Sequence, residues 1–212
     1  MGGGRARLLM ALLVAVVLVP LGVWAYPDNA KRPSTGPSTA GRLLVASPAM
    51  PSNFFSETVV LMLRHDADGA FGLIVNRPSG KAKLADALKL FGREAAELPD
   101  PQPVLDVHNG GPVEPRRLFM LHSADIETES ALSVDGRFAL SAPEALLEAI
   151  AKGQGPRQRL LVFGYSGWGP NQLEGEIARG DWVVVDADDE AVFGPANDRK
   201  WKRLIGKRGI DL

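Results

Sequence analysis

One serine in this chain has the surroundings of a nucleophile. Arg159–Tyr165 is strongly apolar and reads as a strand, Gly164-Tyr165-Ser166-Gly167-Trp168-Gly169 reads as a glycine-rich turn, and Pro170–Arg179 reads as a helix with Pro in its first turn and Gly180 past its end. Strand, turn and helix together display a catalytic serine in many hydrolases. Such chemistry also needs a histidine base, an orienting acid and a backbone oxyanion hole. The motif breaks at Trp168, where the nucleophile turn requires glycine. The competing reading is structural: Gly164, Gly167 and Gly169 permit a tight turn under which Trp168 packs. An envelope hydrolase acting through the Ser166 turn is therefore the alternative reading, and no residue is assigned as catalytic.

Metal and cofactor chemistry find less support. The three histidines, His65, His108 and His122, show neither HxH nor HxxxH spacing. Asp66 and Asp68 begin like a calcium loop, but Gly69 comes too early and no Glu closes it. The chain has no cysteine, which removes disulfides, thiolate sites and a cysteine nucleophile. No metal site and no cofactor are expected. Anion binding is the remaining small-molecule chemistry. Asn76 and Arg77, the Gly110-Gly111 turn, and Gly164, Ser166, Gly167 and Trp168 are candidates to line one pocket, with backbone N–H groups and Arg77 facing a small anion. The competing reading is that these are strand-ending turns that need unusual backbone angles.

Net charge is −1, which argues against a nucleic-acid binder. Arg199, Lys200, Lys202, Arg203, Lys207 and Arg208 are interleaved with Trp201 near the C-terminus. They read as the solvated face of a helix over Asp198–Ile205 whose apolar stripe is Trp201, Leu204 and Ile205. A helix-turn-helix over Lys83–Leu98 is disfavoured, because its second piece carries Glu94 and Glu97.

The elements that position these groups follow from pattern. Residues 1–25 have the plan of a secretory signal or short membrane anchor: Arg5 and Arg7, an apolar run Leu8–Val19, then Pro20, Gly22 and a candidate cleavage site after Ala25. Residues 26–41 are rich in Pro, Ser, Thr and Gly and read as a disordered linker. Residues 42–212 form the domain. Strands are expected over Arg42–Ala46, Thr58–Arg64, Phe71–Asn76, Val104–Val107, Leu118–His122, Ser130–Ser133, Arg137–Leu140 and Trp182–Val185, with the Asp68-Gly69 pair marking a hairpin. Arg77–Gly80 is expected to stop its strand. Helices are expected over Lys83–Phe91 and from Ser141, where Ser141 and Glu144 fit a capping box. Strands in runs with unevenly placed helices predict an α+β fold with a mixed or mainly antiparallel sheet.

Five segments in register then resemble the AlgH/YqgE family: Leu73-Ile74-Val75-Asn76-Arg77-Pro78, Asn109-Gly110-Gly111-Pro112-Val113, Phe119-Met120-Leu121-His122, Gly164-Tyr165-Ser166-Gly167-Trp168 and Gln172-Leu173-Glu174. Trp201 and Gly209-Ile210-Asp211 fit its C-terminal end. The resemblance covers about Gly41 to Leu212. It implies a bent, mixed sheet folded toward a pseudo-barrel and flanked by helices. It also implies a family labelled as transcriptional regulators, with no assigned biochemical activity, whose members look cytoplasmic. The family tolerates Ala at the Ser166 position, which demotes the hydroxyl. This chain departs in its leader and linker, and in Ser52 and Asn53, where the family tends to carry an acid followed by proline. The leader places the domain outside the cytoplasm, periplasmic or tethered to the inner membrane, with membrane contact only through the N-terminal segment. The expectation is a ligand- or partner-binding domain that takes a small anion or a protein and, if exported, no nucleic acid.

Overall fold

The computed structural model describes residues 37–51, 54–93, 102–128 and 132–207. The leader and residues 26–36 of the expected linker lie outside them. So do Ser52 and Asn53, Glu94–Glu97 and the C-terminal Gly209-Ile210-Asp211.

Ten strands and five helices occur among the described residues: β1 (Arg42–Ala46), β2 (Val59–Asp66), β3 (Gly69–Ile74), β4 (Pro78–Lys83), α1 (Leu84–Lys89), β5 (Val104–Asn109), β6 (Val113–Ser123), β7 (Leu132–Val134), β8 (Phe138–Ser141), α2 (Pro143–Ala151), β9 (Arg159–Trp168), α3 (Gln172–Ala178), β10 (Trp182–Asp186), α4 (Asp189–Phe193) and α5 (Asn197–Lys207). They form one curled, mixed sheet in the order β10-β1-β2-β3-β9-β6-β8-β7. The expected α+β fold with a bent, mostly antiparallel sheet is the one observed.

The strand β9 organises the sheet. Its C-terminal end pairs antiparallel with β3, from Gly72↔Ser166 to Ala70↔Trp168. Its N-terminal half pairs parallel with β5, from Val107↔Leu161 to Asn109↔Phe163. The other edge of β9 carries β6 along both halves. The ends of β3 and β5 therefore meet on one edge of β9, and the β4–β5 ribbon branches off there.

Alternation along the strands divides the apolar residues between faces. Leu43, Val45, Leu61, Leu73, Leu121 and Val162 point into one cluster that α4 and α5 close with Ala191, Val192 and Leu204. On the reverse face Leu44, Val60, Met62 and Ile74 pack with Trp168, Trp182 and Leu173 of α3. Leu105, Val107, Met120 and Leu161 pack against α1 and α2 through Leu84, Leu88, Leu146 and Ile150.

Three local expectations change. The Gly164–Trp168 stretch is strand, not turn, because Gly164 at φ 67 bends β9 without ending its pairing. The α3 helix starts at Gln172, beyond Pro170, after Asn171 adopts the left-handed conformation at φ 59. Ser141 closes β8 opposite Met120, so α2 has no side-chain cap and the capping box is not formed. The strand before Arg77 stops as expected, with β3 ending at Ile74, and Pro78 opens a further strand, β4, an edge partner of β5. The β2–β3 hairpin forms as expected, but its glycine serves the sheet as well as the turn. A Cβ on Gly69 would lie 2.2 Å from the Trp168 carbonyl oxygen.

That contact gives a test. Gly69→Ala should destabilise the domain by more than about 3 kcal/mol, whereas Gly153→Ala, also at positive φ, should cost about 1–2 kcal/mol. No neighbour lies within 4 Å of a Cβ at Gly153. Urea unfolding of the two variants measures the difference, and equal losses would contradict the role assigned to the Trp168 approach.

Candidate functional site

Four of the residues expected to line a pocket, Gly110, Gly111, Gly164 and Ser166, come together, and their own backbone fills the space between them. The Gly110 carbonyl accepts from the Ile74 amide (3.0 Å) and from the Ser166 hydroxyl (3.0 Å), while the Gly110 amide donates to Phe163 (2.8 Å). A Cβ at Gly110 would lie 2.6 Å from the Gly164 carbonyl oxygen, and one at Gly111 would lie 2.2 Å from the Tyr165 backbone. The junction has no room for a methyl group. Ser166 is fully buried. A buried hydroxyl that donates to a carbonyl has neither the exposure nor the base of a nucleophile, and the hydrolase reading loses its basis.

The other expected residues have separate duties. Asn76 accepts from the Val59 amide (2.8 Å) and donates to the Glu57 carbonyl (2.9 Å). Arg77 donates to Ser56 O (3.3 Å) and lies over the Phe54 ring, and burial lowers its pKa. Both hold the loop before β2. Gly167 leaves room for the Tyr165 ring, which packs on Phe71 at 4.9 Å. Trp168 faces the opposite side, stacked on Phe55 and edge-on to Trp182. Both indoles donate to one oxygen of Glu176, at 2.8 Å each.

The histidines occupy three networks that fix their tautomers. His65 Nδ1 accepts from the Thr39 amide (3.1 Å), so Nε2 donates to Glu174 (3.3 Å). This ring, with Ser38 donating to the His65 carbonyl and the Gly41 amide to Met62, fastens residues 38–41 to β2. His122 Nδ1 donates to Ser123 O (2.8 Å), leaving Nε2 to accept from Ser141 Oγ (2.9 Å). That is the bond order of a serine and its base, but both residues are buried, and the third group is a carbonyl where catalysis wants a carboxylate. His108 donates through Nε2 to Asn197 Oδ1 (3.3 Å), and its buried Nδ1 has no partner. Burial lowers the pKa of His108 and His122.

Sequence reasoning placed Lys200 on a solvated face. It is 3% exposed, and its ammonium donates to Val75 O (2.9 Å) and Val192 O (3.0 Å). Desolvation brings its pKa down to about 8, with the Glu190 charge opposing the shift. Helical spacing carried the missing signal: Asn197, Lys200 and Leu204 share one face of α5.

Exposed polar groups gather elsewhere, in a cleft of about 580 Å³ lined by Ser123, Ala124, Asp125, Gly136, Arg137, Arg157, Gln158 and Asp189. None of these residues was expected in a site. Asp125 accepts from the Ser123 hydroxyl (2.5 Å) and from the Arg157 backbone amide (3.1 Å) and Nε (2.9 Å). The Ser123 bond first, and then the Arg157 bonds, hold its pKa down to about 2. Asp125 thus fixes the inner edge of the Arg157 guanidinium through Nε. Arg137 donates to Ala187 O and to Asp135, so its nitrogens are occupied.

Fold and site together define a curled-sheet α+β domain whose signature residues serve its own backbone. Four charged residues, Asp125, Arg137, Arg157 and Asp189, line its cleft. The chain belongs to the AlgH-like family, whose profile matches residues 43–212. It is 42% identical to a UPF0301 protein of Methylococcus capsulatus, over 82% of this chain and 93% of that one. It is 40% identical to a UPF0301 protein of Afipia carboxidovorans, over 91% and 94% of the two chains. The solution structure of the AlgH protein from Pseudomonas aeruginosa superposes with a TM-score of 0.68 at 33% identity, covering 84% of this chain and 93% of that one. A Corynebacterium diphtheriae crystal structure shares the fold at a TM-score of 0.63 and 23% identity, over 82% and 88%.

Lys200 supplies a prediction with a definite sign. Its folded pKa lies below its ordinary 10.5, so the unfolded chain binds more protons between about pH 8 and 10.5. Stability should rise with pH across that window, and Lys200→Met should abolish the rise. Denaturant titrations at half-unit pH steps compare the two, and parallel pH profiles would contradict the burial of a titrating ammonium.

Proposed function

We propose that this chain is a non-catalytic binding domain, with a regulatory role, that engages its ligand or partner at the Asp125–Arg157 cleft. The observation that carries the proposal is Arg157, whose guanidinium is fixed on one edge by Asp125 at 2.9 Å while its side chain is 82% exposed. A preorganised cation at the mouth of a cleft is a recognition element, because its orientation is settled before the ligand arrives. The internal hydrogen bonds of Ser166, His122 and Ser141 favour binding over catalysis.

The proposal includes export. Its support is the Arg5, Arg7 and Leu8–Val19 pattern, together with a domain that begins only after a Pro- and Ser-rich stretch. Among the described residues no helix is long and apolar enough to cross a membrane; the tether belonging to this proposal is the N-terminal segment. An exported domain acts on regulation through a ligand or protein partner and not through direct DNA contact.

Two measurements test this. Fractionation of native cells with N-terminal sequencing should find the domain outside the cytoplasm, cleaved after Ala25 or membrane-bound with its leader. An intact protein free in the cytoplasm would refute export. A nuclear magnetic resonance screen of small anions should shift the amides of Ser123, Asp125, Gly136 and Arg157 first. Consistent shifts elsewhere would refute the cleft.

A further inference from the structure

The cleft presents two unlike charges, and their availability narrows the ligand. Resting on the cleft-binding reading above, we infer that the site takes a zwitterion: a carboxylate on Arg157 and an ammonium group on Asp189, as in a free amino acid or a short peptide.

Each charged group in the cleft has a defined state. Asp125 is occupied by Ser123 and Arg157. Arg137 is neutralised by Asp135 at 2.7 Å and turned to the Ala187 carbonyl. Arg157 bonds Asp125 only through its backbone amide and Nε, which leaves the outer edge of the guanidinium facing solvent. That edge presents the parallel N–H pair that a carboxylate meets in bidentate fashion. Asp189, in the first turn of α4, is exposed and has no partner among the described residues. A lone carboxylate in the same cleft repels a simple anion and attracts an ammonium group. The cleft therefore discriminates against a plain anion and in favour of a ligand carrying both charges. Its volume of about 580 Å³ exceeds the needs of glycine and accommodates a dipeptide.

The test titrates the isotope-labelled full chain with four probes: glycine, glycylglycine, acetate and methylammonium. Glycylglycine, glycine or both should shift the Asp125, Arg157 and Asp189 amides at concentrations about tenfold below those at which acetate or methylammonium act. The response of glycine relative to glycylglycine distinguishes an amino-acid ligand from a peptide one. Arg157→Gln and Asp189→Asn should each weaken the zwitterion by about tenfold or more, while thermal unfolding shifts little, because Asp189 has no partner to lose among the described residues and Arg157 forms an exposed ion pair. If acetate acts as strongly as glycylglycine, or Asp189→Asn has no effect, the zwitterion inference fails and a simple anion site remains. If no probe moves a cleft amide, the cleft-binding reading fails with it.

Discussion

The carbonyl of Gly110 is the joint on which the rest of the structure depends. It accepts from the Ile74 amide at the end of β3 and from Ser166 within β9, while its own amide donates to Phe163. Three strands are thereby locked where the sheet changes from an antiparallel to a parallel partner along one edge of β9. The approach is too close for any side chain, since a Cβ on Gly110, Gly111 or Gly164 would lie 2.2–2.6 Å from neighbouring backbone. Glycine here serves proximity as much as conformational freedom. The serine closes the joint by satisfying a buried carbonyl that has two lone pairs. The signature that resembles a nucleophile turn is thus the requirement of a sheet that must branch.

Around that joint the protein buries an unusual set of polar groups and assigns each a partner. His65 holds the start of the domain, His122 and Ser141 hold the β6–β8 pair, and Glu176 collects two indoles. Lys200 ties α5 to the residue following β3 and to the C-terminal turn of α4, where the helix dipole favours a cation. Buried polar groups satisfied in this way give the sheet one arrangement in preference to near alternatives. Among the described residues the exceptions are His108 Nδ1 and Arg64 Nε, buried nitrogens without a hydrogen-bond partner.

Much of the fold was legible in the sequence. Short apolar and β-rich runs located β1, β2, β3 and β9, the Asp68-Gly69 pair marked the hairpin, and the Leu84, Ala87 and Leu88 spacing marked α1. The end of β9 was misjudged because Gly164, Gly167 and Gly169 in one short run signal a turn, and only the partners Gly72 and Ala70, distant in sequence, keep that run extended. Ser141 was misjudged for a related reason: its local capping geometry lost to a tertiary bond with His122. A shared pocket around Gly110, Gly111, Gly164 and Ser166 was one of two readings, and the density of their contact was not legible, since spacing says nothing about how closely two backbones approach. The cleft was invisible because Asp125 and Arg157 come from two separate loops and Asp189 from the first turn of α4, with no shared motif.

Two roles fall to separate residues: a glycine–serine joint makes the fold, and the charged cleft of ordinary surface residues is the recognition site we propose. The most direct test of the first role is native-state hydrogen exchange at the amides of Ile74 and Gly110, the two donors at the joint. Both should exchange only through global unfolding, with protection equal to the full unfolding free energy. Exchange of either amide through a local opening well below that energy would contradict the claim that the structure depends on this joint.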